Sequence, residues 1–141
     1  IKAIKEFYNE ETSNNILTED YDYVVDAIDM VSSKIHLIKT CKEKNLKIIS
    51  SMGMGNKLDP TKIEVSDIHK TSICPLARVI RKELRDRKIK NLKVVYSKEE
   101  PKELKKRIMN GKKVTPGSVS FVPSVSGLTI ASVVVNDLLN S

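Results

Sequence analysis

The stretch YDYVVDAI at 21–28, an amphipathic run at 32–45 and LKIISSM at 46–52 constrain this chain more than any other feature. The first run is β-branched and aromatic, the composition of a strand. In SSKIHLIKTCKEKN, Ile35, Ile38 and Cys41 fall on one helical stripe, with serine at its start and Asn45 at its end. Strand, helix, strand at these lengths is a βαβ unit, so the two strands are expected to run parallel. Sheets of that kind bind ligands beyond the carboxyl ends of their strands.

The rest of the chain supplies the partners of that unit. KAIKEF (2–7) reads as a short strand, IEVSDI (63–68) as a strand with one wet face, and LKVVYS (92–97) as another strand. PLARVIRKELRDR (75–87) is a helix with Leu76, Val79, Ile80 and Leu84 as its apolar stripe. The charged segment 98–118 is read as exposed, including Glu99 and Glu100, and VSFVP (119–123) as a short strand. A last helix is expected from about Ser124 to Asn140, apolar enough around its circumference to be buried on most sides. The architecture is therefore α/β, in one domain over residues 1–141, with a partly parallel sheet that changes character near residue 60. Only two parallel strands are secure, fewer than a doubly wound sheet needs, which points to a fragment of something longer.

Composition narrows the function classes. At 40% hydrophobic and 30% charged residues the chain is globular rather than disordered. No apolar run is expected to approach the roughly 20 residues of a membrane span, and the N-terminus lacks the apolar core of a signal peptide. Two cysteines, Cys41 and Cys74, match neither a zinc spacing nor a disulfide framework, so a reduced, cytoplasmic setting is expected. The net charge of +7 is concentrated: residues 78–93 hold eight basic residues against two acidic ones.

Three places carry chemistry. Asp29 falls just past the strand at 21–28, where a carboxylate could hold Mg²⁺ together with nucleotide phosphates, or simply cap the next helix. Asp26 lies inside the strand, facing either into the sheet or toward a neighbouring loop; the plainer reading of the two carboxylates is a helix N-cap at one and a satisfied buried partner at the other. At the neighbouring strand tip stands SSMGMGNK, in which Gly53 and Gly55 allow close backbone approach and Asn56 and Lys57 add a donor and a charge. It matches neither GxGxxG nor a phosphate loop. Both features share one sheet edge. The third place is the basic helix face of Arg78, Arg81, Lys82 and Arg85, either a phosphate-contacting surface or a solvated one. Cys41 reads as core; Cys74, at a helix start, reads as a buried structural thiol more readily than a reactive one. His36 and His69 have no ligand-spaced companions.

The segments DYVVDAIDMVSSK, SSMGMGNKLDPTKIEVSDIHKTSICPLARVIRKELRDR, VVYSKEEP and GSVSFVPSVSGLTIASVVVNDLL occur in an order that resembles the C-terminal half of ThiF/MoeB/HesA proteins. These are the ubiquitin-activating-enzyme-like adenylyltransferases. GNKLDPT and YSKEEP resemble most closely the branch of tRNA threonylcarbamoyladenosine dehydratases.

The resemblance implies a doubly wound, mixed-sheet Rossmann-like adenylating domain, with ATP and Mg²⁺ as cofactors. It implies adenylation of the threonylcarbamoyl carboxylate on a tRNA adenosine, then ring closure with loss of water. Asp29 matches the metal-binding aspartate, and the loop of Gly53, Gly55, Asn56 and Lys57 falls beside the acyl-adenylate. The basic helix face would hold tRNA, and family members pair as homodimers through this half. The family's glycine-rich nucleotide loop has no counterpart here, so the chain alone is expected to be inactive. The paired CxxC motifs of sulfur-carrier branches are absent too. Activation of a small ubiquitin-like or sulfur-carrier protein, and a non-catalytic RNA- or protein-binding module, are the alternatives.

Overall fold

The computed structural model describes residues 1–18, 21–104, 108–110 and 113–141. A single turn, α1 (Ser13–Ile16), precedes β1 (Val24–Asp26), α2 (Val31–Glu43) and β2 (Ile48–Ser51). Then come β3 (Ile63–Asp67), α3 (Pro75–Asp86), β4 (Lys93–Ser97), the hairpin β5 (Ile108–Asn110) and β6 (Lys113–Thr115), and α4 (Phe121–Leu139). The main sheet has the order β1-β2-β4-β3. β1, β2 and β4 are parallel, and β3 joins as an antiparallel edge, Val65 opposite Val95. The expected change of sheet character near residue 60 is this reversal at β3.

Strand alternation sorts the side chains onto two faces. Ile48, Val94 and Tyr96 point into a core with Ile35, Ile38 and Cys41 of α2 and Ala77, Ile80 and Leu84 of α3. Ile49 and Val95 point the other way, against Ile130 of α4. The sheet is thus helix-covered on both faces, as a parallel sheet requires.

Several expectations change. The segment 2–7 forms no strand: among the described residues β1 pairs with β2 alone, and without a ladder partner the residues before α1 run irregularly and largely exposed. VSFVP is not a strand either, because α4 already begins at Phe121. Pro123 sits in its first turn, where the missing N–H would have had no intrahelical partner anyway.

α4 is also not buried on most sides. Val122, Ser126 and Ile130 face the sheet at helical spacing, while Leu128 is 71% and Leu139 78% exposed. One sheet face can cover only one stripe of a helix. By length and composition α4 could cross a membrane, contrary to the expectation for the chain, but here it lies along β2, β3 and β4. The segment 98–118 contains a hairpin, with residues 105–107 and 111–112 outside the described ones.

Candidate active site at the parallel strand tips

The carboxyl ends of β1, β2 and β4 bring together the turn 26–30, the loop 52–57 and the segment 97–99. Asp26 closes β1 opposite Ser50 of β2 and is completely buried. Its carboxylate accepts from Lys34 Nζ at 2.8 Å, from Ser50 Oγ and from the backbone N–H of Ile28 at 3.0 Å. Lys34 is equally buried, and burial pulls its pKa down while Asp26 opposes the shift. Of the two carboxylates, Asp26 is the satisfied buried one.

Asp29 behaves differently. It is exposed, and its carboxylate makes no hydrogen bond or ion pair among the described residues. It does not cap α2: the cap position belongs to Met30, with no side-chain bond. Among the described residues no side chain caps the first turn of α2, and a helix start of this kind favours an anion nearby. Asp29 shares an open cleft with Phe7, Ile28, Met30, Val31 and Ser32, although nothing in the sequence pattern sets Phe7 beside it.

The loop at the β2 tip is built from the inside. Lys57 is 2% exposed, and its ammonium donates to Gly53 O at 3.0 Å and Ser97 O at 3.4 Å, tying the β2 and β4 tips together. Burial lowers its pKa against the pull of Cys74 and Glu99. Its charge is thus engaged inside the protein rather than offered to a ligand. Asn56 takes a positive φ of 59° and bonds Gly117. A Cβ on Gly55 would stand 2.9 Å from Pro116 Cβ, so this glycine serves close packing; at Gly53 the nearest atom would be 3.6 Å away.

Glu99 overturns the expectation of a solvated carboxylate: it is 3% exposed and accepts the N–H groups of Leu58 and Asp59. Glu100 is exposed as expected. Lys34 and Glu99 are what sequence reasoning missed. The signal for Lys34 was its place on the stripe of Ile38 and Cys41; Glu99 had none.

On α3, Arg78, Lys82 and Arg85 are exposed together. Arg81 is turned back, its Nη1 donating to Thr71 O at 2.6 Å and Thr71 Oγ1 at 2.7 Å. Cys41 and Cys74 are both buried and free. Among the described residues no three His, Cys, Asp or Glu side chains gather as a metal cage.

No family model matches the chain. It is 42% identical over 148 residues to the tRNA threonylcarbamoyladenosine dehydratase of Bacillus subtilis, a match covering 97% of this chain and 58% of that protein. This chain is homologous to the tRNA threonylcarbamoyladenosine dehydratases of the ThiF/MoeB family.

The dehydratase homology extends to Saccharomyces cerevisiae tRNA threonylcarbamoyladenosine dehydratase 2, 40% identical over 89 residues, 62% of this chain and 20% of that one. In structure, the chain superposes on the Escherichia coli dehydratase in complex with ATP with a TM-score of 0.83 at 26% identity, covering 97% of this chain and 56% of that one. The AMP complex of the E. coli dehydratase gives 0.81. The chain thus spans little more than half the length of the dehydratases it matches, and its fold is that of their Rossmann-like adenylating domain.

Proposed function

We propose that this chain supplies the metal-binding and acyl-adenylate half of an ATP-dependent tRNA threonylcarbamoyladenosine dehydratase, acting in the cytoplasm. The observation that carries the reading is Asp29: an exposed carboxylate at a parallel strand tip, without a partner among the described residues and beside a helix start with no side-chain cap. The curated dehydratase similarity covers that position and nearly all of the chain.

The donor set fits Mg²⁺. This ion takes hard oxygens and is commonly held by one or two protein carboxylates plus substrate phosphates, so a lone exposed aspartate suffices where no protein cage exists. When bound, the ion offsets the charge that gathers on the α-phosphate and departing pyrophosphate. Asp29 would hold it, with the start of α2, which has no side-chain cap among the described residues, directly following. The threonylcarbamoyl carboxylate would attack the α-phosphorus of ATP, releasing pyrophosphate, and ring closure would then release AMP. The walls for that second step are the Gly53–Lys57 loop, whose shape the inward Lys57 maintains.

The exposed Arg78, Lys82 and Arg85 suit tRNA phosphates, and the uncovered apolar stripe of α4 suits a homodimer. A glycine-rich nucleotide loop and the cations for the triphosphate would come from a segment outside this chain.

Calorimetric titration of Mg·ATP tests the reading, with this chain beside a longer protein that carries it. Tight binding by the longer form only, weakened by Asp29→Ala, is the expected result. Binding by the short chain that ignores Asp29→Ala would refute it. Appearance of an adenylated protein tail, rather than tRNA-dependent ATP cleavage, would move the substrate to a carrier protein.

A further inference from the structure

The Asp26–Lys34 pair does more than neutralise itself. Lys34 Nζ donates to Ile28 O at 3.0 Å as well as to Asp26, while Asp26 Oδ1 accepts the Ile28 N–H at 3.0 Å. The backbone N–H of Lys34 donates to Met30 O at 2.9 Å. The residues on both sides of Asp29 are therefore held by one lysine, Ile28 through its ammonium and Met30 through its main chain. Ser50 anchors Asp26 to β2. The Asp29 carboxylate takes no part in this set of bonds among the described residues.

We propose that the buried Asp26–Lys34 pair is a positioning device for Asp29, fixing the turn from Ala27 to Met30 so that the carboxylate stands in one place for a divalent cation. This rests on the reading of Asp29 as a metal ligand. A buried ion pair adds little net stability compared with well-packed apolar residues. Apolar residues could not, however, bond both the N–H and the C=O of Ile28, which are part-buried and would be left short of partners.

The pairing of charges matters as well. A lone lysine could hold the Ile28 carbonyl, but it would set an uncompensated positive charge behind a cation ligand. Asp26 cancels that charge. Ordering the turn during folding also means that less freedom is lost when the cation binds.

The test uses the intact protein that carries this chain, with Mn²⁺ as probe and ATP present, reading free Mn²⁺ by its paramagnetic resonance signal. In the wild-type protein the Ile28 amide is expected to exchange slowly with solvent; exchange at the rate of an unbonded turn amide would overturn the proposal. The uncharged pair Asp26→Asn with Lys34→Met should bind Mn·ATP about tenfold or more weakly, the usual effect of losing an outer-shell partner. Its thermal midpoint is the control, and Lys34→Arg should recover part of the affinity.

A folded double variant with unchanged Mn²⁺ affinity overturns the positioning role. Should the double variant not fold, Ser50→Ala takes its place: weakened affinity supports the role and unchanged affinity overturns it. Asp29→Ala separates the two levels. If it keeps full Mn·ATP affinity, the metal reading falls and takes this inference with it. If it weakens binding while the folded pair variant does not, only the positioning role falls.

Discussion

Asn56 and Gly117 bond each other twice across the strand tips: the Asn56 N–H donates to Gly117 O at 2.7 Å, and the Gly117 N–H to Asn56 Oδ1 at 2.7 Å. This reciprocal pair fastens the segment ahead of α4 to the loop after β2, so two stretches 61 residues apart form one wall of the candidate site. Lys102 adds a third bond, its N–H donating to Asn56 O.

The two glycines of that loop should separate in a stability measurement. Gly55→Ala drives a Cβ into the Pro116 ring at 2.9 Å and should cost about 1–3 kcal/mol, as overpacking does. Gly53→Ala meets nothing closer than 3.6 Å and should cost less than about 1 kcal/mol. Urea unfolding of both variants checks the difference.

Lys57→Met distinguishes an inward lysine from a phosphate-gripping one. Loss of the ammonium leaves Gly53 O and Ser97 O short of a donor and should lower stability by about 1–3 kcal/mol. A variant as stable as wild type but weaker for ATP would instead place the charge on the nucleotide.

The basic face of α3 divides into contact and support. Replacing the exposed Arg78, Lys82 and Arg85 with Gln should lower the slope of log affinity for tRNA against log salt by about 2–3. Unaltered salt dependence would remove tRNA from this face. Arg81→Ala should mainly lower the melting temperature, since its guanidinium bonds Thr71.

Leu128 and Leu139 probe the uncovered stripe of α4, being 71% and 78% exposed. Leu128→Asp should convert a dimer to a monomer in sedimentation equilibrium without melting the helix. A wild-type protein that stays monomeric at every concentration would refute the dimer.

Acid should destabilise the fold below about pH 4. Lys93, and then Tyr23, hold the Asp137 carboxyl below its ordinary 3.8, and Lys98, then Tyr96, hold Glu64 below 4.5. Folded carboxyls with depressed pKa bind fewer protons than unfolded ones, so their stabilisation is present above the ordinary values and is lost as pH falls through the folded ones. Asp137→Asn should flatten the acid limb of an unfolding-midpoint profile; an identical limb would show that the pair contributes nothing.

The βαβ unit was legible because each piece has local causes: β-branched residues in β1 and β2, and an apolar stripe through Ile35, Ile38 and Cys41. That Asp29 would stand at a strand tip followed from its place in the order of elements. The fate of individual polar side chains did not. Whether Lys57 points in or out and whether Glu99 is solvated or receives Leu58 and Asp59 depend on partners remote in sequence, and that Asp29 leaves the cap of α2 to Met30 is settled only by the backbone of the turn.

The same division governs the ends of the chain. The sequence alone determined that α4 is an apolar helix, but its starting residue and its uncovered stripe were decided by a sheet that offers it one face. It also held the strand-like residues 2–7, which form no strand because a strand exists only where another extends its ladder of hydrogen bonds. Local pattern fixes what a segment can become; the neighbour that completes its bonds decides what it is.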